Sequence, residues 1–182
     1  MIHLLSMMKL WLLTILSFFL TACMVLAALA TPARPLSIAA RNSWRGVTPL
    51  HSSPADVARV LGLEGDPADH DLTGPFQVEG GEVTFSYLSP SLAEMFKAPK
   101  TMSGKVFTVY FKPVPAMTRQ ELKLTSDFKR CVEEMDRTFY YFLNDAGIAY
   151  RFVRGSDAVD AVIYQPSRAE VRRLAVNTTC VF

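Results

Sequence analysis

Phe139-Tyr140-Tyr141-Phe142-Leu143-Asn144-Asp145-Ala146-Gly147-Ile148-Ala149-Tyr150-Arg151-Phe152 is the stretch whose reading decides the fold class. Phe139, Tyr141 and Leu143 recur at every second residue, and Ile148, Tyr150 and Phe152 do so again after four small or polar residues. A strand sends alternate side chains to opposite faces, whereas a helix repeats near every third or fourth residue. The pattern therefore predicts two antiparallel strands joined by a turn. Tyr140 and Phe142 make the opposite face of the first strand apolar as well. Such a strand is either buried between layers or left as a docking surface, which makes Tyr140 and Phe142 the candidate binding residues.

The same alternation marks Val83, Phe85 and Tyr87, then Phe107, Val109 and Phe111, and a last apolar strand runs from Val159 to Tyr164 ahead of Pro166. The first two read as antiparallel neighbours, with Pro90 to Gly104 a mobile connection between them and Leu63 to Gly81 a long loop. Ser53-Pro54-Ala55-Asp56 supplies a hydroxyl cap, a proline for the first helical position and an acid for the first turn, and Gly62 stops that helix. Thr118 with Glu121, and Ser167 with Glu170, have capping-box spacing; the second pair opens a short basic helix through Leu174. Phe128, Cys131, Val132 and Met135 fall at helical spacing, so Ser126 to Met135 reads as an amphipathic helix. The order of elements predicts an α+β domain, an antiparallel sheet of about five strands with short helices packed on one face.

The chain has 182 residues, half of them hydrophobic, and its 19 Lys+Arg against 17 Asp+Glu lack the concentrated basic excess of a nucleic-acid binder. From Leu10 to Ala30 no residue carries a formal charge, and Lys9 precedes the run. That is the pattern of an export signal or a membrane anchor helix. Leu20-Thr21-Ala22-Cys23 looks like a lipobox and makes Cys23 the lipidation candidate; Ala28-Leu29-Ala30 offers release of a soluble chain; a retained anchor is the third outcome. The expected organisation is a signal or anchor over 1–30, a proline-bearing linker over 31–42 and one domain over 43–182. The expected address is the periplasm, the outer membrane or the exterior. Cys131 and Cys180 are the two thiols left beyond the N-terminal segment, and an even count in an oxidising compartment makes them the candidate disulfide.

Residues able to carry chemistry are few. Asp66, Asp69, His70 and Asp71 lie close together, but their spacing matches neither an EF-hand loop nor an H-E-x-x-H helix, and a solvated acidic loop accounts for them. His51 beside Ser52 and Ser53 lacks a nucleophile elbow, and the serines suit helix capping. No phosphate-cradling glycine loop is present, so the reading calls for no cofactor and no metal. Arg168, Arg172 and Arg173 cluster on the last helix, where anionic lipid heads, an acidic protein or plain solvent would each suit them.

Trp44-Arg45-Gly46-Val47-Thr48-Pro49-Leu50-His51-Ser52-Ser53, the Asp56-Val57 and Leu61-Gly62 pairs, Phe142 to Tyr150 and Val162-Ile163-Tyr164-Gln165-Pro166 resemble a family of uncharacterised secreted proteins of acidobacteria-type bacteria. The likeness spans roughly Ser43 to Leu174 and implies an exported domain without a known activity. A capped helix ending in leucine-glycine before aromatic strands is also similar, at the level of fold, to the small lipoprotein of the outer-membrane β-barrel assembly machinery. The expectation is a non-catalytic module that binds or scaffolds an envelope protein. The alternatives are a hydrolase assembled from distant residues such as His51 and His70, and a secreted inhibitor-like protein.

Overall fold

The structure, a computed structural model, describes residues 42–132 and 138–174. The apolar run from Leu10 to Ala30, the lipobox cysteine Cys23, nearly all of the linker and Cys180 lie outside the described residues.

Seven antiparallel strands form one sheet: β1 (Phe76–Val78), β2 (Gly81–Tyr87), β3 (Val106–Pro113), β4 (Lys129–Val132), β5 (Phe139–Leu143), β6 (Ile148–Val153) and β7 (Val159–Tyr164), in the spatial order β1-β2-β3-β7-β6-β5-β4. Among the described residues four short helices accompany them, α1 (Pro54–Leu61), α2 (Pro90–Met95), α3 (Arg119–Leu122) and α4 (Arg168–Arg173). The expected α+β domain with about five strands under a helical layer is thus corrected to a mostly β domain. The five strands read from alternation are present, and β1 and β4 are added at the two edges.

Both additions have a physical reason. β1 has only three residues and is held by pairing of Phe76 with Val83 and Val78 with Gly81, so it is too short to show a period among the loop glycines and prolines. β4 replaces the expected helix. Cys131 is buried while Lys129, Arg130 and Val132 are exposed, and Cys131 pairs with Tyr141 while Val132 pairs with Tyr140. The helical spacing of Phe128, Cys131 and Val132 is coincidence, overridden by the long strand β5 that offers a free edge.

The helices are too short to blanket a sheet. α1, the longest among the described residues, has eight residues, and the closest backbone neighbours of α1 and α2 are 3-10 turns rather than strands. Each is set by its caps. Ser53 and Asp56, Thr118 and Glu121, and Ser167 and Glu170 form reciprocal capping boxes. Ser89 caps α2 through the Leu92 amide, with Pro90 at the first helical position. That is the Ser-Pro signal of α1 repeated, and it turns the expected mobile connection into a packed element.

One sheet face is covered mainly by side chains from irregular segments. Trp44 lies edge-on to Phe85 at 5.7 Å, Phe128 lies 5.4 Å from Tyr150, and the Arg119 guanidinium stands 4.7 Å over Phe142. Val83, Phe85, Val109, Phe152 and Val162 are buried beneath this cover. The opposite face carries the buried cluster Leu143, Ala149, Ala161 and Ile163 with Tyr141 against it, and the ion pair of Arg151 with Asp160 beside it. Strand β5 therefore has buried side chains on both faces at its C-terminal half, Phe142 on one and Leu143 on the other.

The hairpin turn between β5 and β6 is the one read from the sequence. Asn144 Oδ1 accepts from the Ile148 amide, and Gly147 has φ +92°. A β-carbon at Gly147 would run into the backbone carbonyls of Gln165 and Pro166, so close approach as well as left-handed backbone requires glycine there.

Cys131 is engaged in a disulfide bond, and its partner lies outside the described residues. The expected partner is Cys180. Non-reducing peptide mapping should recover a Cys131–Cys180 pair, and its reduction should lower stability by about 4 kcal/mol, the chain-entropy value for a loop of this length. A map joining Cys131 to Cys23 would overturn the assignment.

Burial pushes the Tyr150 and Tyr164 phenols up, Tyr164 to about 12, and Tyr87 is raised likewise to about 12. A phenol whose folded pKa exceeds its unfolded value stabilises the fold fully below about pH 10, and that share is lost as pH rises through the folded pKa. The denaturation midpoint should therefore fall between about pH 10 and pH 12, and Tyr164→Phe should remove part of that fall, on the order of 2–3 kcal/mol. Denaturant curves taken across this range, with tyrosinate absorbance alongside, check it.

Candidate functional site

The antiparallel registers place the C-terminal end of β4, the N-terminal end of β5 and the C-terminal end of β6 together, opposite the end where the chain enters the domain. An open cleft of about 190 Å³ lies there, lined by Arg130, Val132, Phe139, Tyr140 and Arg154. Tyr140 is its floor. The ring stacks on buried Phe152 at 5.0 Å, nearly parallel, and its hydroxyl donates to the Ser156 carbonyl at 2.9 Å. The ring cannot swing away without breaking both contacts.

Two arginines line the cleft with that ring. Arg130 sits 5.1 Å over the Tyr140 centroid, diagonal to it across the β4–β5 pair. Arg154 follows β6, and its amide donates to the Thr138 carbonyl at 2.7 Å, which anchors the backbone and leaves the side chain exposed. Among the described residues neither guanidinium is ion-paired. Val132, which lines the cleft from the edge strand, is 47% exposed and gives it an apolar rim. Two forks of N–H donors around an aromatic floor can hold a carboxylate or another planar anion, with the rim gripping apolar atoms beside it.

The two residues expected to form the binding surface are thus separated. Tyr140 lines the cleft, half-buried and supported. Phe142 is 9% exposed, lies edge-on to Phe152 at 5.8 Å and is capped by Arg119, so it packs the wall behind. Arg130, Val132, Phe139 and Arg154 were not singled out from the sequence. Arg154 was recoverable: the hairpin register that sets Tyr140 against Phe152 carries Arg154 next to Thr138. Arg130 and Val132 were hidden by the helical reading of their segment.

The other candidates are placed plainly. His51 Nε2 lies 3.0 Å from Glu170 Oε1, bringing two residues together across 119 positions. The far oxygen of Glu170 accepts from both the amide and the hydroxyl of Ser167. Burial raises the Glu170 pKa, but the Ser167 hydrogen bonds and His51 outweigh it and leave the group below its ordinary value. The carboxylate stands between serine and histidine here, whereas a nucleophilic triad needs histidine between serine and acid, so the contact closes a cap. His70 Nε2 donates to the Glu64 carbonyl at 2.9 Å, Asp66 caps the Ala68 amide, and Asp71 accepts from the hydroxyl and amide of Thr73, which hold its carboxyl low. Among the described residues no group of three or more His, Cys, Asp or Glu side chains is arranged to hold a metal ion. Among them, too, no helix is long and apolar enough to cross a membrane.

No protein-family model, no curated protein and no solved structure matches the chain.

The different burial of neighbouring aromatics sets a stability test. Phe142→Ala should cost about 3–5 kcal/mol, the range for emptying a buried aromatic site. Tyr140→Phe, which removes only the hydroxyl bond to Ser156, should cost about 1 kcal/mol. Denaturant midpoints of the two variants check the order, and equal losses would contradict the separation of wall from floor.

Proposed function

We propose that the chain is an exported envelope protein whose domain is a non-catalytic binding module, and that it engages a partner protein through the cleft at the β4–β5 edge. The observation that carries this reading is the pair of unpaired guanidinium groups, Arg130 and Arg154, around the braced and half-buried ring of Tyr140. Arginine and tyrosine in a partly apolar setting are the side chains that most often dominate protein interfaces. The edge strand beside them adds backbone groups that a partner's extended segment can pair with, as in strand addition. The Leu10 to Ala30 run supports export, and the likeness to small envelope proteins agrees with a scaffolding role.

The partner's contacting surface is expected to be acidic, since the cleft presents cations beside an exposed valine, Val132. The test uses the tagged full chain in its own envelope, with a photo-reactive side chain at Val132 to trap whatever seats on the edge. Arg130→Glu with Arg154→Glu should lower the trapped yield at least about tenfold, the equivalent of about 1.4 kcal/mol. His51→Ala with His70→Ala should leave the yield unchanged. Undiminished trapping by the folded double-glutamate variant would overturn the cleft as the binding site, and loss of trapping in the double-histidine variant would redirect the reading toward the hydrolase.

A further inference from the structure

The opposite end of the sheet, where the chain enters, gathers segments that are remote in sequence. β3 begins there, β7 finishes there and β6 begins there, because Tyr164 pairs with both Val109 and Ile148. The Asn42 side-chain amide donates to the Gln165 carbonyl at the same end. Leu50, Leu88, Ala93 and Leu174 form one buried cluster, with Phe96 and Met102 packed against it. That cluster holds α2 and the C-terminus of α4 against a common core beside the entry point.

This end is basic at its surface. Lys97, Lys100 and Lys105 follow α2, with Glu94 the one acid between Pro90 and Lys105, and Arg172 and Arg173 close α4. Lys97, Lys100, Arg172 and Arg173 are exposed, and among the described residues none of the five cations is ion-paired; Lys105 acts on Asp56 only at longer range. Of the acids of the neighbourhood, Asp145 pairs with Arg168, Glu170 with His51 and Asp56 with Arg59, and the exposed Glu94 is the one acid set directly among the α2 cations. Met95 projects among the cations at 68% exposure, the highest of the large apolar side chains that stand exposed in the described residues.

A lone exposed methionine or a solvated basic helix needs no partner. Their convergence at the entry end selects one. Between Ala30, the last residue of the apolar run, and Asn42 lie eleven residues, which span at most about 40 Å. A chain held in or on a bilayer by that run, or by lipid at Cys23, keeps this end within reach of the headgroups. We infer that the entry end docks on an anionic bilayer surface, with Lys97, Lys100, Lys105, Arg172 and Arg173 against lipid phosphates and Met95 reaching the headgroup–acyl boundary. One hydrophobic signal with a polybasic patch is the combination that makes surface attachment stable, and the basic patch here supplies the second signal. Docking in this pose turns the Arg130–Tyr140–Arg154 cleft away from the membrane.

The test uses the full chain on vesicles of phosphatidylcholine alone and on vesicles that also contain phosphatidylglycerol, read by amide hydrogen exchange. Exchange over Ser91 to Ser103 and Val171 to Leu174 should slow about tenfold on the anionic vesicles, and the difference should vanish near 1 M salt, where screening acts within about 3 Å. Lys97→Glu, Lys100→Glu, Arg172→Glu and Arg173→Glu together should abolish it, and Met95→Asp should reduce it with the cations intact. Unchanged exchange in β2, β3 and β7 shows that a variant is folded; if the fourfold variant fails that check, Met95→Asp and the salt series on the native chain decide. Equal exchange on the two vesicles, or protection that survives charge reversal, would overturn the inference. So would the same protection produced by inorganic phosphate on phosphatidylcholine vesicles, which would assign the patch to a soluble anion. Trapping at the Val132 edge is a separate readout at the other end of the domain, so the two proposals fail independently.

Discussion

Everything in the domain depends on the short ladder between β3 and β7. Val109 pairs with Tyr164, Tyr110 with Ile163 and Phe111 with Val162, and these three pairs join a β1-β2-β3 half to a β7-β6-β5-β4 half. Each half is built of hairpins local in sequence, which close cheaply, but the joint brings together residues about fifty positions apart and must offset a larger loop-closure entropy. The side chains at the joint supply the compensation. Val109, Phe111, Val162 and Ile163 are almost fully buried, and the return segment after β3 extends the contact, with Thr118 bridged to Ala158 and Met117 accepting from the Val159 amide. A joint of this kind is cooperative: a charge placed in it exposes both halves at once.

The joint also dictates how each face is used. Because side chains alternate, the same ladder that buries Val109 and Val162 under Trp44 and its neighbours turns Tyr110 and Ile163 to the other face. Small residues, Ala149 and Ala161, keep that second face low beside Leu143, and the bulge in the β6–β7 register lets Asp160 reach Arg151. Arg151 is held further by the rings of Phe139 at 4.6 Å and Tyr110 at 5.8 Å. A cation fixed between two aromatic rings and a carboxylate is positioned by packing, and it rigidifies Phe139, one wall of the candidate cleft.

The sequence made legible whatever was governed by local rules. Alternation marks β2, β3, β5 and β6, an apolar run closed by Pro166 marks β7, reciprocal Ser/Thr and acid spacing marks α1, α3 and α4, and Asn144 with Gly147 marks the hairpin turn. It failed where a neighbour decides. The segment around Cys131 has helical spacing by accident, and only the free edge of β5 makes it a strand; three residues of β1 contain no period at all. α2 follows the same local rule as α1, since Ser89-Pro90 repeats the signal of Ser53-Pro54. The cleft was half legible. Tyr140 followed from a strand apolar on both sides, whereas Arg130 and Arg154 meet it only through two registers that no single segment encodes.

The antiparallel arrangement finally explains how one small sheet can present two unlike surfaces. Strand ends alternate, so segments leaving β2, β7 and the β5–β6 turn collect at one end, and segments leaving β3, β4 and β6 collect at the other. The first end receives α2 and α4, whose helix termini and loops carry lysine and arginine over an apolar cluster. Among the described residues the second receives only the four-residue α3, and exposed Val132 and stacked Tyr140 remain at its sheet edge. Natural edges are commonly blunted by basic side chains, and Arg130 and Arg154 serve that end whether or not a partner is present. What lifts Arg130 and Arg154 above edge protection is the braced ring between them: protection from unwanted pairing needs charge alone, whereas a tyrosine fixed at its face by Phe152 and at its hydroxyl by Ser156 is organised in advance for a ligand.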